Sequence, residues 1–256
     1  MDFKLSNVAI RKFLTTIFIA IMAVFFWASS AEAGIIGRPP NNLGLVGYWS
    51  FNDATSTTRS TLVQDFSGNN NNGVMTNMAN PATAVSGVAN GRLGKALSFD
   101  GSNDYVNAGN SSGLTITGSL TLSMWVNIRS LGDNNLLIDK RPDTGFTGYF
   151  INLGGTGTIR CLQGLSTHDV STVDTIPFNV WVHITCTDDL SNIRIYLNGK
   201  QSVSASVSGT PINSGNLFIG AQAAAGGFPV NGLIDEVRIY NRALSADEVK
   251  QLYNSR

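Results

Sequence analysis

Short segments in which apolar and polar residues alternate recur along most of this chain. The alternation is clearest at 120–128, 181–187, 192–197 and 232–240. A period of two places alternate side chains on one face of a strand. Further strands are expected at 46–51, 95–99, 148–153 and 217–220. Many short strands separated by Gly, Asn and Ser predict an all-β fold of two antiparallel sheets packed as a sandwich.

Two local signals add a hairpin and a helix to this pattern. Asn198-Gly199 is a two-residue hairpin signal that joins 193–197 to 201–206. Ser245 and Glu248 have the spacing of a capping box, which predicts the start of a short C-terminal helix. One side of that helix is apolar, with Val249, Leu252 and Tyr253.

The last predicted strand carries a carboxylate in an apolar row. Leu233, Asp235, Val237 and Ile239 alternate, so the pattern places all four side chains on the core side. A carboxylate facing a core needs a metal ion or a cationic partner, or it stays protonated. Asp235 is therefore a candidate functional residue.

The N-terminal residues have the pattern of a secretory signal. Lys4, Arg11 and Lys12 precede an uncharged run at 13–27, and Ala31-Glu32-Ala33 has the form of a cleavage site. We expect residues 1–33 to be a signal peptide and the protein to be secreted; an uncleaved anchor is the alternative. Residues 34–44 then form a linker, and residues 45–256 form one domain.

Charge and cysteine content narrow the class of partner. The full chain holds 17 basic and 17 acidic residues, and cleavage after Ala33 would leave a net charge near −1. This charge balance argues against nucleic acid as a partner, because nucleic-acid binding needs a basic excess. We expect no membrane span after cleavage.

An even number of cysteines in an exported chain favours a disulfide between Cys161 and Cys186 over two free thiols.

Seven segments of the sequence, in the same order along the chain, resemble the sequences of one known family. The segments are GLVGYWSFND at 44–53, DFSGNNNNG at 65–73, GKALSFDGSNDYVNAG at 94–109, LTLSMWVN at 120–127, WVHITCTDD at 181–189, IRIYLNGK at 193–200, and IDEVRIYNRALSADEV at 234–249. They resemble laminin-G-like jelly-roll domains of the concanavalin A-like lectin/glucanase superfamily, over about residues 44–254. The resemblance implies a jelly-roll sandwich and an extracellular binding module.

The resemblance also implies a structural calcium ion where the first and last strands meet. Calcium takes oxygen ligands, and Asp235 would be the anchor, with Asp53 and Asp65 as further ligands. Each residue has another interpretation. Asp65 could form an Asx-turn, Asp53 could be a solvated strand end, and Asp235 could accept hydrogen bonds from backbone amides.

A glycan-binding surface is expected on the face opposite the core row of 122–128. Sugar rings stack on Trp and Tyr, while Asn, Arg and His bond hydroxyl groups. The pattern places suitable side chains together there: Trp125, Asn127, His183, Arg194 and Tyr196. The alternative is that Trp125 and its neighbours are framework residues.

Catalytic motifs are absent from the sequence. The chain after residue 33 has two glutamates, Glu236 and Glu248, and no E-x-D-x-E or G-x-S-x-G motif. The sequence therefore predicts a protein that is not an enzyme, and most simply a non-catalytic extracellular module that binds glycans. A structural or adhesion domain that binds cell-surface proteins, and an atypical glycosidase, are the alternatives.

Overall fold

Sixteen strands and one α-helix make up the part of the chain that the structure describes. The structure, a computed structural model, describes residues 42–54, 61–79, 82–83, 86–142, 147–164, 168–209, 215–222 and 227–255. The expected signal peptide lies outside these residues, as does most of the expected linker. The strands are β1 (Leu45–Trp49), β2 (Leu62–Val63), β3 (Gly73–Thr76), β4 (Gly87–Asn90), β5 (Lys95–Asp100), β6 (Tyr105–Gly109), β7 (Leu120–Ser130), β8 (Asn134–Asp139), β9 (Tyr149–Gly154), β10 (Thr158–Gln163), β11 (Asp169–Thr175), β12 (Val182–Asp188), β13 (Asn192–Leu197), β14 (Lys200–Ser206), β15 (Leu217–Ile219) and β16 (Asn231–Tyr240).

The described strands form two antiparallel sheets of eight strands, which confirms the predicted jelly-roll sandwich. Sheet A has the order β14-β13-β12-β7-β16-β5-β4, and β1 also pairs with β16. Sheet B has the order β11-β10-β9-β8-β15-β6-β3-β2. The hairpin between β13 and β14 turns at Asn198 and Gly199, whose φ angles of 51° and 75° are those that a tight primed turn requires.

The core lies between the sheets and follows the predicted alternation in most strands. In β7 the inward residues are Leu122, Met124, Val126 and Ile128, all of them buried. Cys161 of β10 and Cys186 of β12 form a disulfide across the two sheets, with Cα atoms 6.4 Å apart. The predicted pairing of the cysteines is therefore present, and it links sheet B to sheet A through the core.

The alternation predicted for β16 is wrong in its first half. Ile234 belongs to the core together with Val237 and Ile239, whereas Leu233 and Asp235 lie on the outer side. A β-bulge between Asp235 and Arg238 causes the change, and Glu236 within it has a φ of 55°. A bulge adds one residue to a strand. Odd-numbered residues therefore point to one face of the sheet before the bulge and to the other face after it.

The C-terminal helix, α1 (Ala246–Asn254), begins where the sequence predicts. Ser245 and Glu248 form both hydrogen bonds of a capping box. The buried face of the helix packs on the outer side of sheet A, where Val249 and Leu252 join Tyr196, Tyr240 and Leu244 in one apolar cluster. Among the described residues, no helix is long and apolar enough to cross a membrane.

Candidate functional site

The outer face of sheet A, where glycan-binding residues were expected, is covered by the protein itself. Trp125, His183 and Tyr196 point away from the core as predicted, but their exposed fractions are 3%, 1% and 3%. The ring of Tyr253 from α1 stacks on Trp125 with centroids 5.5 Å apart. The guanidinium of Arg92 lies 4.7 Å from the Trp125 ring. Trp125, His183 and Tyr196 are therefore framework residues. Their burial corrects the expectation of an open aromatic surface.

The remaining residues of that predicted surface are partly covered as well. Arg194 is half-buried and donates to Oδ2 of Asp189 at 2.7 Å. Asn127 is also half-buried, near the end of β7. Burial lowers the pKa of His183 to about 3, and the positive charge of Arg238 adds to this shift. A neutral, enclosed imidazole beside Ser123 is a packing group rather than a contact for ligand.

Asp65 organises a loop through its carboxylate, as the Asx-turn interpretation proposes. Its Oδ1 accepts hydrogen bonds from the backbone amides of Tyr48 and Ser67 at 2.8 and 2.9 Å. Its Oδ2 accepts from the Ser67 hydroxyl and from the Asn71 amide at 2.8 and 2.9 Å. Four donors occupy both oxygens, which agrees with the Asx-turn interpretation, and a metal-ligand role of Asp65 stays a prediction.

Asp53 and Asp235 each have one oxygen without a hydrogen bond among the described residues. Oδ2 of Asp53 accepts from the Gln64 amide at 2.8 Å, and Oδ2 of Asp235 accepts from the Leu93 amide at 2.9 Å. Oδ1 of both residues is buried and unpaired. Burial raises the pKa of Asp235 to about 7, although the Leu93 amide opposes the shift.

The three predicted calcium ligands are not brought together as a set. No group of three or more His, Cys, Asp or Glu side chains within the described residues is arranged to hold a metal ion. The unpaired oxygen of Asp235 would suit a cation, but the other oxygens would have to come from the backbone. Calcium at Asp235 stays a prediction.

A different region, which we call the loop groove, has the shape of a small-ligand site. It is a cavity of about 460 Å³ at the end of the sandwich where β7 meets β8 and β16 begins. This volume falls within the range of roughly 300–1,000 Å³ that small-molecule pockets occupy. The lining residues are Gly101, Ser130, Leu131, Gly132, Asp133, Asn134, Asn135, Phe228, Pro229 and Asn231.

Hydrogen bonds from two amide side chains hold the walls of the loop groove. Asn135 accepts from the Gly132 amide at 3.0 Å and donates to the carbonyls of Gly132 and Leu153. Asn231 donates to the Ser130 hydroxyl at 2.8 Å and accepts from Nε of Arg129 at 2.9 Å. These hydrogen bonds connect the groove walls to β7, β8 and β16. The strands of the sandwich therefore determine the shape of the groove.

Phe228 is the most distinctive residue of the loop groove. Its side chain is 45% exposed, and its φ of 53° lies in the left-handed region that non-glycine residues rarely adopt. Its carbonyl accepts from the Leu136 amide at 3.0 Å, which fixes this conformation against β8. A large ring held in an unfavourable backbone conformation at the edge of a cavity is a pattern found at binding sites.

The lining of the loop groove suits binding better than carboxylate-pair catalysis. Phe228, Pro229 and Leu131 give apolar surface, while the exposed Asp133 and Asn134 offer polar groups. Asp133 is the one carboxylate among the described lining residues, whereas the usual glycosidase mechanism needs two. The two glutamates of the described residues lie elsewhere: Glu236 accepts from Tyr48, and Glu248 from Arg242 and Ser245.

Sequence reasoning missed the loop groove because three separate stretches of chain build it. The only local signal is Phe228, an aromatic residue that follows a Gly- and Ala-rich stretch at 220–227. A large aromatic residue beside a run of small residues is a sequence signal for a binding site.

Comparisons with solved structures find the same sandwich in several toxins and in two enzymes, an arabinanase and a sialidase. The binding domain of Paraclostridial Mosquitocidal Protein 1 matches with a TM-score of 0.63 and 22% identity, over 84% of this chain and 52% of that one. The chain thus spans about half the length of that domain. Domain 4 of AbnA, a GH43 extracellular arabinanase from Geobacillus stearothermophilus, in complex with arabinotriose, matches with a TM-score of 0.61 and 23% identity, over 82% of this chain and 98% of that one.

A structure of botulinum neurotoxin type C is also similar, with a TM-score of 0.57 and 15% identity, over 84% of this chain and 51% of that one. Cell entry of that toxin is described as dependent upon interaction with two ganglioside molecules. At these identities the likenesses show the fold alone. No curated protein matches the sequence.

The sequence itself matches a family profile over more than half of its length. The matched residues are 100–250, and the profile describes the concanavalin A-like lectin/glucanases superfamily. The two-sheet sandwich described above agrees with this match. The chain therefore belongs to the concanavalin A-like lectin/glucanases superfamily, as a laminin-G-type domain.

Proposed function

We propose that this protein is a non-catalytic extracellular module that binds glycans in the loop groove. The exposed ring of Phe228, on a backbone held by the hydrogen bond from the Leu136 amide at the edge of a cavity of about 460 Å³, carries this proposal. The flat face of an aromatic ring packs against the C–H groups of a sugar, and burying it removes apolar area from water. The hydrogen bond from the Leu136 amide of β8 already holds the backbone that carries this ring, so binding does not have to order that backbone.

Polar groups around Phe228 supply the directional part of recognition. Ser130, Asp133 and Asn134 are exposed at the groove, so their oxygen and nitrogen atoms can exchange water for sugar hydroxyls. Small residues, Gly101 and Gly132, leave the adjacent backbone accessible to a ligand. An apolar platform with a few polar groups is the usual composition of small-ligand sites.

Two further observations support the extracellular and glycan parts of the proposal. The disulfide between Cys161 and Cys186 is typical of oxidising compartments, and residues 1–33 have the pattern of a secretory signal. Among the similar structures, the arabinanase domain holds arabinotriose, and the type C neurotoxin interacts with gangliosides. Glycan ligands on this fold make the same class of ligand a reasonable first choice here.

A glycan array followed by titration of the best ligand tests the proposal. Phe228→Ala should reduce affinity by about thirtyfold or more, since loss of a central aromatic anchor costs on the order of 2 kcal/mol. Phe66→Ala is the matched control, because Phe66 is 48% exposed but contacts Tyr48, away from the groove lining.

The control also decides how a negative result is interpreted. Both variants should keep the melting temperature within a few degrees of the wild type, which shows that the fold is intact. Equal affinity in the wild type and Phe228→Ala would place the binding site elsewhere. If no glycan binds the wild type, the proposed function is wrong, and binding to protein partners becomes the leading alternative.

A further inference from the structure

We infer that the loop groove selects neutral glycans and rejects acidic ones. This inference rests on the proposed function and names the class of sugar that the same site takes. It comes from the charges around the groove, which are independent of the aromatic ring that supports glycan binding in general. The similar structures leave the choice open, since one holds the neutral sugar arabinotriose and another interacts with gangliosides.

The walls of the groove hold one negative charge and no positive charge among the described lining residues. Asp133 is the single ionisable side chain of the ten, and it is exposed. The sequence immediately around these lining residues has the same balance. Residues 227–231 read GFPVN and have no charged residue, while residues 130–135 read SLGDNN and have only Asp133.

Arg129 is the cation nearest in sequence to the groove walls, and its guanidinium is engaged behind them. Its Nε donates to Asn231, one terminal nitrogen donates to Ser98 Oγ at 3.1 Å, and the other donates to the Phe99 carbonyl at 2.6 Å. The acidic residues Asp100 and Asp104 also act on this charge. Arg129 therefore positions Asn231 and is not free to meet a ligand carboxylate.

An acidic sugar would bring a second carboxylate into a space that already holds Asp133. Two like charges about 4 Å apart repel by roughly 1 kcal/mol in bulk water and by about 4 kcal/mol at the effective dielectric constant near a protein surface. The ligand carboxylate would also lose water without gaining a cationic partner. A neutral sugar avoids both penalties, because Asp133 can accept hydrogen bonds from its hydroxyl groups.

Matched glycans measure this selection directly. An array would hold neutral oligosaccharides beside the same backbones extended with sialic acid or a uronic acid. Wild-type protein should bind the neutral member of each pair at least about tenfold more tightly, which corresponds to 1.4 kcal/mol. Raising the salt concentration to about 1 M should narrow the difference, because the Debye length falls to roughly 3 Å.

Substitution of Asp133 separates charge repulsion from simple steric exclusion. Asp133→Asn removes the charge with almost no change in size, so the acidic ligands should gain affinity relative to the neutral ones. Asp133→Lys should extend that gain further. Asp247→Asn is the control, since Asp247 is exposed on α1 and removes an equal charge away from the groove.

The outcomes distinguish this inference from the proposed function. Neutral preference that is reduced by Asp133→Asn and unchanged by Asp247→Asn supports the inference. Equal or tighter binding of the acidic ligands, lost in Phe228→Ala, overturns the inference and leaves glycan binding in place. Absence of binding to either member of every pair overturns the proposed function, and the inference with it.

Discussion

Asp235→Asn should stabilise the protein above neutral pH. Burial raises the pKa of Asp235 from 3.8 to about 7 in the folded state. Between those pH values the folded protein holds a proton on Asp235 that the unfolded chain releases. The stabilisation from this proton is therefore fully present below about pH 4 and is lost as the pH rises through 7. At pH 8 the ionised, buried carboxylate destabilises the fold by about 4 kcal/mol, and an asparagine removes that penalty.

Thermal unfolding in the presence of a chelator, from pH 4 to pH 8, measures this effect. The two proteins should have similar melting temperatures at pH 4, and the variant should melt about 8–16 °C higher at pH 8. Asparagine retains an oxygen that can accept the Leu93 amide, so the loop contact at 2.9 Å is preserved. A variant that is less stable than the wild type at pH 8 would refute the reasoning, because ionised Asp235 would then stabilise the fold.

Asp189→Asn gives a control of opposite sign. Burial opposes ionisation of Asp189, but hydrogen bonds from Arg194 and from the Asn192 and Ser191 amides outweigh it and lower the pKa. That variant should lose stability at neutral pH. Added calcium tests the predicted metal in the same assay: an ion bound at Asp235 would raise the melting temperature of the wild type at pH 8 and leave Asp235→Asn unchanged.

Two further predictions concern the framework. Trp125→Ala should destabilise the fold by about 3–5 kcal/mol without any ligand, because it removes a buried ring packed on Tyr253. Urea unfolding measures this loss. A variant of near-wild-type stability would make Trp125 a candidate binding residue again. Native protein should resist thiol alkylation, and Cys161→Ala with Cys186→Ala should lose about 3.5 kcal/mol, because the disulfide closes a loop with a sequence separation of 25. Two reactive thiols in the native protein would contradict the pairing.

The faces of the central strands could be predicted from the sequence, but the fate of the outer face could not. Alternation correctly separates Trp125 and His183 from the core of the sandwich. A period of two says which side chains share a face, and it says nothing of what covers that face. The apolar side of α1, with Val249 and Leu252, was equally visible in the sequence. The outer face of sheet A and the apolar side of α1 each needed an apolar partner. In the structure these two surfaces pack against each other.

The bulge in β16 and the loop groove show two other limits. The positive φ of Glu236 reverses the phase of the strand, and strict alternation assumes that no such reversal occurs. This is why Asp235 was predicted to face the core and instead lies across from Trp125 on the outer side. The groove depends on Ser130, Asn134 and Phe228 meeting at one end of the sandwich, and only the three-dimensional fold brings them together.

The pairing of β1 with β16 has a consequence for how the chain is made. Leu45 pairs with Tyr240, so the first strand finds its partner only when the last strand has been synthesised. At roughly 5–20 residues per second, that wait is on the order of ten seconds or more. During this time the edge of β1 is unpaired and open to contact with other chains. The sandwich is therefore complete only after the last strand has been synthesised.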